Sequence, residues 1–211
     1  MSARPIVCKL ESYFAGIFQD GLDFQNDKGI RMFMWRVAYT GGTQGFFVTQ
    51  EEYDEIKPER DTFCRISCDL LCDKKQIYSQ KPFKYEFEGI DKNFVVPDQD
   101  EFNRGSWFRG LGIMVGKDDW LTKDGKMIYS LQFNTTGSKH RFSVERSLFE
   151  SVPKAVGGYF QLEGQVDNRI VSYSGQDGRW AYKNELKVIP EIFKHVELNT
   201  KKTAADPAKQ S

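Results

Sequence analysis

Four stretches of this 211-residue chain set aromatic rings beside cations. Lys117-Asp118-Asp119-Trp120-Leu121-Thr122-Lys123-Asp124-Gly125-Lys126 holds one Trp among three lysines, and Arg169 to Trp180 carries Tyr173, Arg179 and Trp180. Earlier in the chain Phe24 stands near Lys28, and Lys74, Lys75 and Lys81 flank Tyr78. A ring stacks on another planar group while a neighbouring ammonium or guanidinium neutralises an anion, so the combination suits a ligand that is both flat and acidic. Lys139-His140-Arg141 adds two further cations, and Met32, Met34 and Arg36 offer a soft surface beside a guanidinium.

Covalent chemistry is poorly supplied. His140 and His195 lie far apart, with no nucleophile or metal-ligand pattern around either. Gly110-Leu111-Gly112 lacks the third glycine of a phosphate-binding loop and reads as the close-packed bend of a strand. The carboxylates have no visible geometric partner for acid–base work. The chain is therefore expected to be non-catalytic and to need no cofactor. Cys64, Cys68 and Cys72 fall four apart and interleave with Ile66 and Leu70 on one face of a strand. With Cys8 they read as reduced thiols packed as small hydrophobes, because a zinc site wants close Cys pairs or added histidines.

Charge narrows the partner. Thirty Lys+Arg balance thirty Asp+Glu, which excludes a histone-like coat held on duplex DNA by bulk electrostatics. The balance is uneven along the chain: residues 1–97 hold 13 basic and 15 acidic side chains, residues 98–211 hold 17 and 15. An acidic ligand is expected to favour the second half. No run approaches the roughly 18 apolar residues of a membrane span, and the first residues lack the apolar stretch of a signal peptide. A cytoplasmic protein without membrane contact is expected.

An internal repeat organises the elements that must position these groups. An offset of 96 aligns Phe33, Trp35 and Val37 with Tyr129, Leu131 and Phe133, and Phe46-x-Val48 with Phe142-x-Val144. It also aligns Thr40-Gly41 with Thr136-Gly137, and Phe63, Ile66 and Leu70 with Tyr159, Leu162 and Val166. Tyr13-Phe14-Ala15-Gly16-Ile17 matches Trp107-Phe108-Arg109-Gly110-Leu111 at an offset of 94, and Glu86-Phe87 and Ile90 meet Glu185-Leu186 and Ile189 after a small slip. The expectation is two copies of one small domain, residues 6–90 and 105–190, with a linker at 91–104 and a disordered tail at 200–211.

Within each copy the apolar residues alternate at period two, which predicts strands. Arg31, Phe33, Trp35 and Val37 form a core row with Met127, Tyr129, Leu131 and Phe133, leaving Met32, Met34, Arg36 and Ala38 outward with Ile128, Ser130, Gln132 and Asn134. Three strands precede a short helix (Gln50 to Ile56; Arg146 to Val152), the first with Thr49 as its N-cap, and two strands follow. That order, with the glycines of the first strand, resembles the OB-fold, a five-stranded Greek-key barrel with a helix between strands three and four. An SH3-like barrel lacks this helix and ranks second. The chain as a whole resembles tandem OB-fold single-stranded DNA-binding proteins, at the level of fold and without a motif that names a narrower family.

The resemblance implies a ligand lying across strands two and three and gripped by the one–two and four–five loops. Those places hold Trp120, Lys117, Lys123, Lys126, Tyr173, Arg179 and Trp180 in the second copy, and Phe24, Tyr78, Lys74 and Lys75 in the first, with Lys139, Arg141, Met34 and Arg36 on the strands. The expected ligand is single-stranded DNA or RNA, bound without strong sequence preference, in replication or recombination. The alternative is a structural or adaptor protein whose first barrel meets a protein, or a second copy of itself, through Met32, Met34 and Phe47.

Overall fold

The computed structural model describes residues 6–26, 28–40, 42–73, 75, 77–90, 96–174 and 180–197, with the backbone alone between 168 and 185. The predicted tail at 200–211 lies outside the described residues. The first half runs β1 (Leu10–Gln25), β2 (Arg31–Tyr39), β3 (Gly42–Val48), α1 (Gln50–Glu55), β4 (Phe63–Cys72) and β5 (Tyr78–Glu88). After α2 (Gln99–Arg104) come β6 (Ser106–Leu121), β7 (Met127–Thr135), β8 (Ser138–Val144), α3 (Arg146–Ser151), β9 (Tyr159–Ser174) and β10 (Trp180–Val196). The expected all-β class holds.

Alternation drives the strands. In β2 Phe33, Trp35 and Val37 are buried while Met32, Met34 and Arg36 are half-exposed, as the outward row requires. Thr49 caps α1 through a reciprocal capping box with Glu52, satisfying donors that the helix start would otherwise leave open. Asn26 and Thr122, 96 apart, close the same turn: each side chain accepts an N–H four residues on, from Ile30 or Lys126. Gly29 and Gly125 supply the left-handed residue there, at φ 73° and 75°.

β1 pairs antiparallel with β2 and β4, β2 with β3, and β4 with β5. β6, β7, β8, β9 and β10 repeat that scheme. The third and fifth strands approach each other without a shared ladder among the described residues, so each half is an OB-like barrel open at one seam. A skipped residue at Gln19 recurs at Val115, and one at Phe83, next to Pro82, recurs at Glu191, next to Pro190. Such bulges bend and twist a strand, and their recurrence marks one scaffold used twice.

Registers correct two of the expected alignments. Ile17 faces Phe63 as Ile113 faces Tyr159, so the first strands match at 96 and not 94, and Gly16 corresponds to Gly112. Glu88 faces Phe63 as Val196 faces Tyr159, so the last strands match at 108, because the β9–β10 hairpin is longer. The second half accordingly runs to Val196, and the expected boundary at 190 cuts β10. The stretch taken as a linker holds α2, capped by Asp98 and fixed to the first half. Thr40 Oγ1 donates to the Phe102 carbonyl at 2.9 Å, Ala15 N–H donates to the Gly105 carbonyl at 2.8 Å, and Glu101 pairs with Arg65.

The two first strands join the halves. Leu10, Ser12 and Phe14 of β1 face Gly110, Phe108 and Ser106 of β6. Adding 96 to one side of this ladder returns the other, so a local two-fold axis passes between Ser12 and Phe108. One buried cluster gathers Phe14, Phe18, Trp35, Val37, Phe46, Ile66 and two cysteines. The other, around Phe108, Phe133, Phe142, Phe160 and Phe193, also takes in Leu10 and Leu70 from the first half. His140 lies fully buried beside it, its Nε2 2.9 Å from Thr135 Oγ1, and burial pushes the imidazole down to about 4, so it stays neutral. The four cysteines are buried and free, with Cys64 and Cys68 pushed up to about 12 by the same cause. They are unreactive packing groups.

Gly110 makes the joint. A Cβ at that position would overlap the Lys9 carbonyl oxygen and crowd the Leu10 Cα, both backbone atoms with no rotamer to yield. Gly110→Ala is therefore expected to cost about 1–3 kcal/mol in denaturant unfolding, the range for overpacking. An unchanged midpoint would show that β1 and β6 are not held this closely.

Candidate nucleic-acid interface

Directly opposed residues of an antiparallel pair project to the same face. On the outer face of the second half this gives Trp120 beside Ile128, then Asp118, Ser130 and Ser143, then Gly116, Gln132 and Arg141, then Asn134 and Lys139. Trp120 is 40% exposed and its neighbour Leu121 more so, both at the end of β6 where the strand runs past the core. Lys123 and Lys126 occupy the exposed β6–β7 turn, and Lys139 and Arg141 project from β8. Asp118 accepts from the Gln132 amide at 2.8 Å, which occupies the carboxylate nearest the middle of the face. A ring and four cations thus border one surface of three strands.

The matched surface of the first half has the same geometry and different chemistry. Phe24 meets Met32, Leu22 meets Met34 and Phe47, and Asp20 meets Arg36 and Gly45. Phe24 is 37% and Phe47 56% exposed. Arg36 lies in a two-pronged ion pair with Asp20, its Nε 2.6 Å from Oδ1, and the guanidinium holds that carboxyl below the usual range. Arg31 is held the same way by Asp23. Met34 covers Gly45, where a Cβ would strike its sulfur. Arg31 and Asp23 belong to the opposite row, with Phe33, so the outer face is apolar and its Arg36 is already paired.

Other expected residues fall elsewhere. Lys117 turns away from the outer face, its Nζ donating to the Val152 carbonyl and lying 4.5 Å from the centre of the Phe149 ring. It fastens α3 to the barrel. Tyr78 belongs to β5 and not to a loop, and its ring packs in parallel against His140 and Phe142 at 5.8 and 6.5 Å. It seals the two halves together, and burial pushes its phenol upward. Lys75 is exposed in the short β4–β5 turn, its own N–H donating to Asp73. Lys74, Arg179 and the side chains of Tyr173 and Trp180 lie outside the described residues.

Two groupings escaped sequence reading. Tyr13 and Trp107 stack at 5.7 Å across the β1–β6 ladder, flanked by Arg109 over Tyr13 and Arg104 over Trp107, each at 4.8 Å. Glu11 and Glu101 reach the same surface, so the stack is a staple between halves with its charges balanced. Arg146 and Lys187 come together with Lys126 at a cleft beside β8, although 61 residues of chain separate the first and last of the three. Among the described residues no cluster of three or more His, Cys, Asp or Glu could hold a metal, and no helix is long and apolar enough to cross a membrane.

No protein-family model matches the chain, and no curated protein matches it by sequence. Solved structures align with the chain over most of its length. The wild-type single-stranded DNA binding protein from Thermus aquaticus aligns over 98% of this chain and 98% of its own, at 9% identity and a TM-score of 0.49. A deletion mutant of that protein aligns over 92% and 97%, at 8% identity and a TM-score of 0.48. A murine DNA binding protein bound with double-stranded DNA aligns over 94% and 99%, at 12% identity and a TM-score of 0.28. The resemblance is one of fold. Identity this low carries no residue of theirs onto this chain.

The setting of Lys117 is open to test. Lys117→Met keeps an apolar stem against Phe149 and loses the hydrogen bond and the charge, so unfolding stability should fall by about 1–3 kcal/mol. A variant as stable as the parent would return this lysine to the solvent.

Proposed function

We propose that the protein is a non-catalytic, sequence-tolerant single-stranded DNA-binding protein, and that the outer face of β6, β7 and β8 is its principal contact surface. The observation that carries this reading is the divergence of two matched faces on one scaffold. The fold alone does not require Trp120, Lys139 and Arg141, since the positions 96 residues earlier hold Phe24, Thr43 and Gly45. A ring exposed at a strand end can stack only on a base that is not already paired and stacked, which favours single strands over duplex. Lys123, Lys126, Lys139 and Arg141 would follow the phosphates, with Tyr173, Arg179 and Trp180 extending the contact from the β9–β10 hairpin.

Balanced overall charge fits a small number of phosphate contacts with a larger share of affinity from stacking. Nothing on the face selects a 2′-hydroxyl, so RNA of the same length is expected to compete. Replication or recombination in the cytoplasm is the setting in which such a protein acts. The two OB-like units, residues 6–90 and the second from 105 onward, have unequal parts in it. Leu22, Phe24, Met34 and Phe47 in the first unit support a second role, protein contact, because an uncharged apolar face attracts no phosphate.

Titration with oligo(dT) tests the reading. Binding should quench tryptophan emission and weaken steeply as salt rises, and Trp120→Ala should cost about one stacked base, ~1–3 kcal/mol. Absence of binding at low salt and micromolar protein would overturn it, and full affinity in the variant would remove Trp120 from the site.

A further inference from the structure

In the second half the open seam between β8 and β10 is a cleft of about 480 Å³, within the range of small-ligand sites. Val144, Val188 and Ile189 give it an apolar floor, and Ile128, the cross-strand neighbour of Trp120, forms part of its wall. Three cations stand around it from three separate elements: Lys126 from the β6–β7 turn, Arg146 from α3 and Lys187 from β10. Glu145 is the one carboxylate lining it. Glu150 accepts from Arg146 at 2.7 Å, whereas Lys126 and Lys187 enter no ion pair among the described residues.

The cations are not a demand of the scaffold. At the corresponding positions the first half has Ile30, Gln50 and Ser79, none of them charged. Among the described residues β8 is laddered only to β7 and β10 only to β9, so each presents its other edge, with backbone donors and acceptors, toward the gap. Apolar floor, polar edges and a rim of positive charge match the three parts of a nucleotide: the flat face of a base, its hydrogen-bonding edge and its phosphate.

We propose that this cleft seats one nucleotide of the bound strand, unstacked from its neighbours, with the base on Val144, Val188 and Ile189 and the phosphate between Lys126 and Lys187. The proposal rests on the single-strand reading above. It makes the outer face and the seam one continuous track, the strand passing from Trp120 over Ile128 into the cleft.

Two variants of the full chain test it, with anisotropy of a labelled oligo(dT) as the readout. Ser143→Trp fills the cleft mouth without changing charge, and the scaffold accepts a ring there because the first half holds Phe47 at that position. Lys187→Glu reverses one rim charge. Each is expected to weaken binding about tenfold, the order of one lost stacking contact, while Lys187→Glu still quenches Trp120 at saturation. Wild-type affinity in Ser143→Trp would overturn the seated nucleotide, even if Lys187→Glu bound less well. No binding by the parent protein would instead overturn the single-strand reading, and this proposal with it.

Discussion

The antiparallel pairing of β1 with β6 is the constraint on which the remaining architecture depends. Each strand spends one edge on its own second strand along the outer half and on its counterpart along the inner half, while the opposite edge holds strand four or nine. All the ladders of the molecule therefore connect through two strands. Close approach is permitted by Gly110 and sealed on the far side by the Tyr13–Trp107 stack. The cores reflect the joint, since Leu10, Leu70 and Tyr78 leave the first half to pack in the second.

Joining the barrels about a local two-fold through β1 and β6 leaves their matched outer faces free to diverge. Register is kept across β1 to β3 and β6 to β8, but Ser130 and Gln132 are buried where Met34 and Arg36 are half-exposed, and the exposed chemistry differs. The first face closes Arg36 in an ion pair with Asp20 and leaves Met, Leu and Phe outward. The second presents a tryptophan and exposed cations, and Arg146 and Lys187 join Lys126 at its seam. An ion pair on such a surface adds little stability. Its larger effect here is to leave the guanidinium of Arg36 occupied by Asp20.

Much of this was readable from sequence, for reasons that also explain the rest. The central strands aligned correctly because Phe33, Trp35 and Val37 alternate with polar residues in both copies, and a one-residue slip would invert the faces. A slip of two does not invert them, which is how an aromatic pair before a glycine misplaced β1 against β6. The last strand was misaligned because the longer β9–β10 hairpin shifts the register with no mark in composition. Trp120, Lys123, Lys126 and Lys139 stand where the turn and strand pattern put them. Lys117 and Tyr78 do not, since their partners Val152 and His140 lie 35 and 62 residues away along the chain, and Arg36 keeps its outward place but is paired with Asp20, 16 residues before it. Arg146 and Lys187 went unnoticed for the same reason.

The central claim is that one face of a duplicated scaffold, with its adjoining seam, has become the nucleic-acid surface. Amide hydrogen exchange of the full chain with and without oligo(dT) addresses it directly, because protection reports position as well as binding. The account predicts slowed exchange confined to the end of β6, the β6–β7 turn, β8 and the β10 segment at Lys187, with the outer face of β1 to β3 unaltered. Protection centred on β2 and β3 would contradict it.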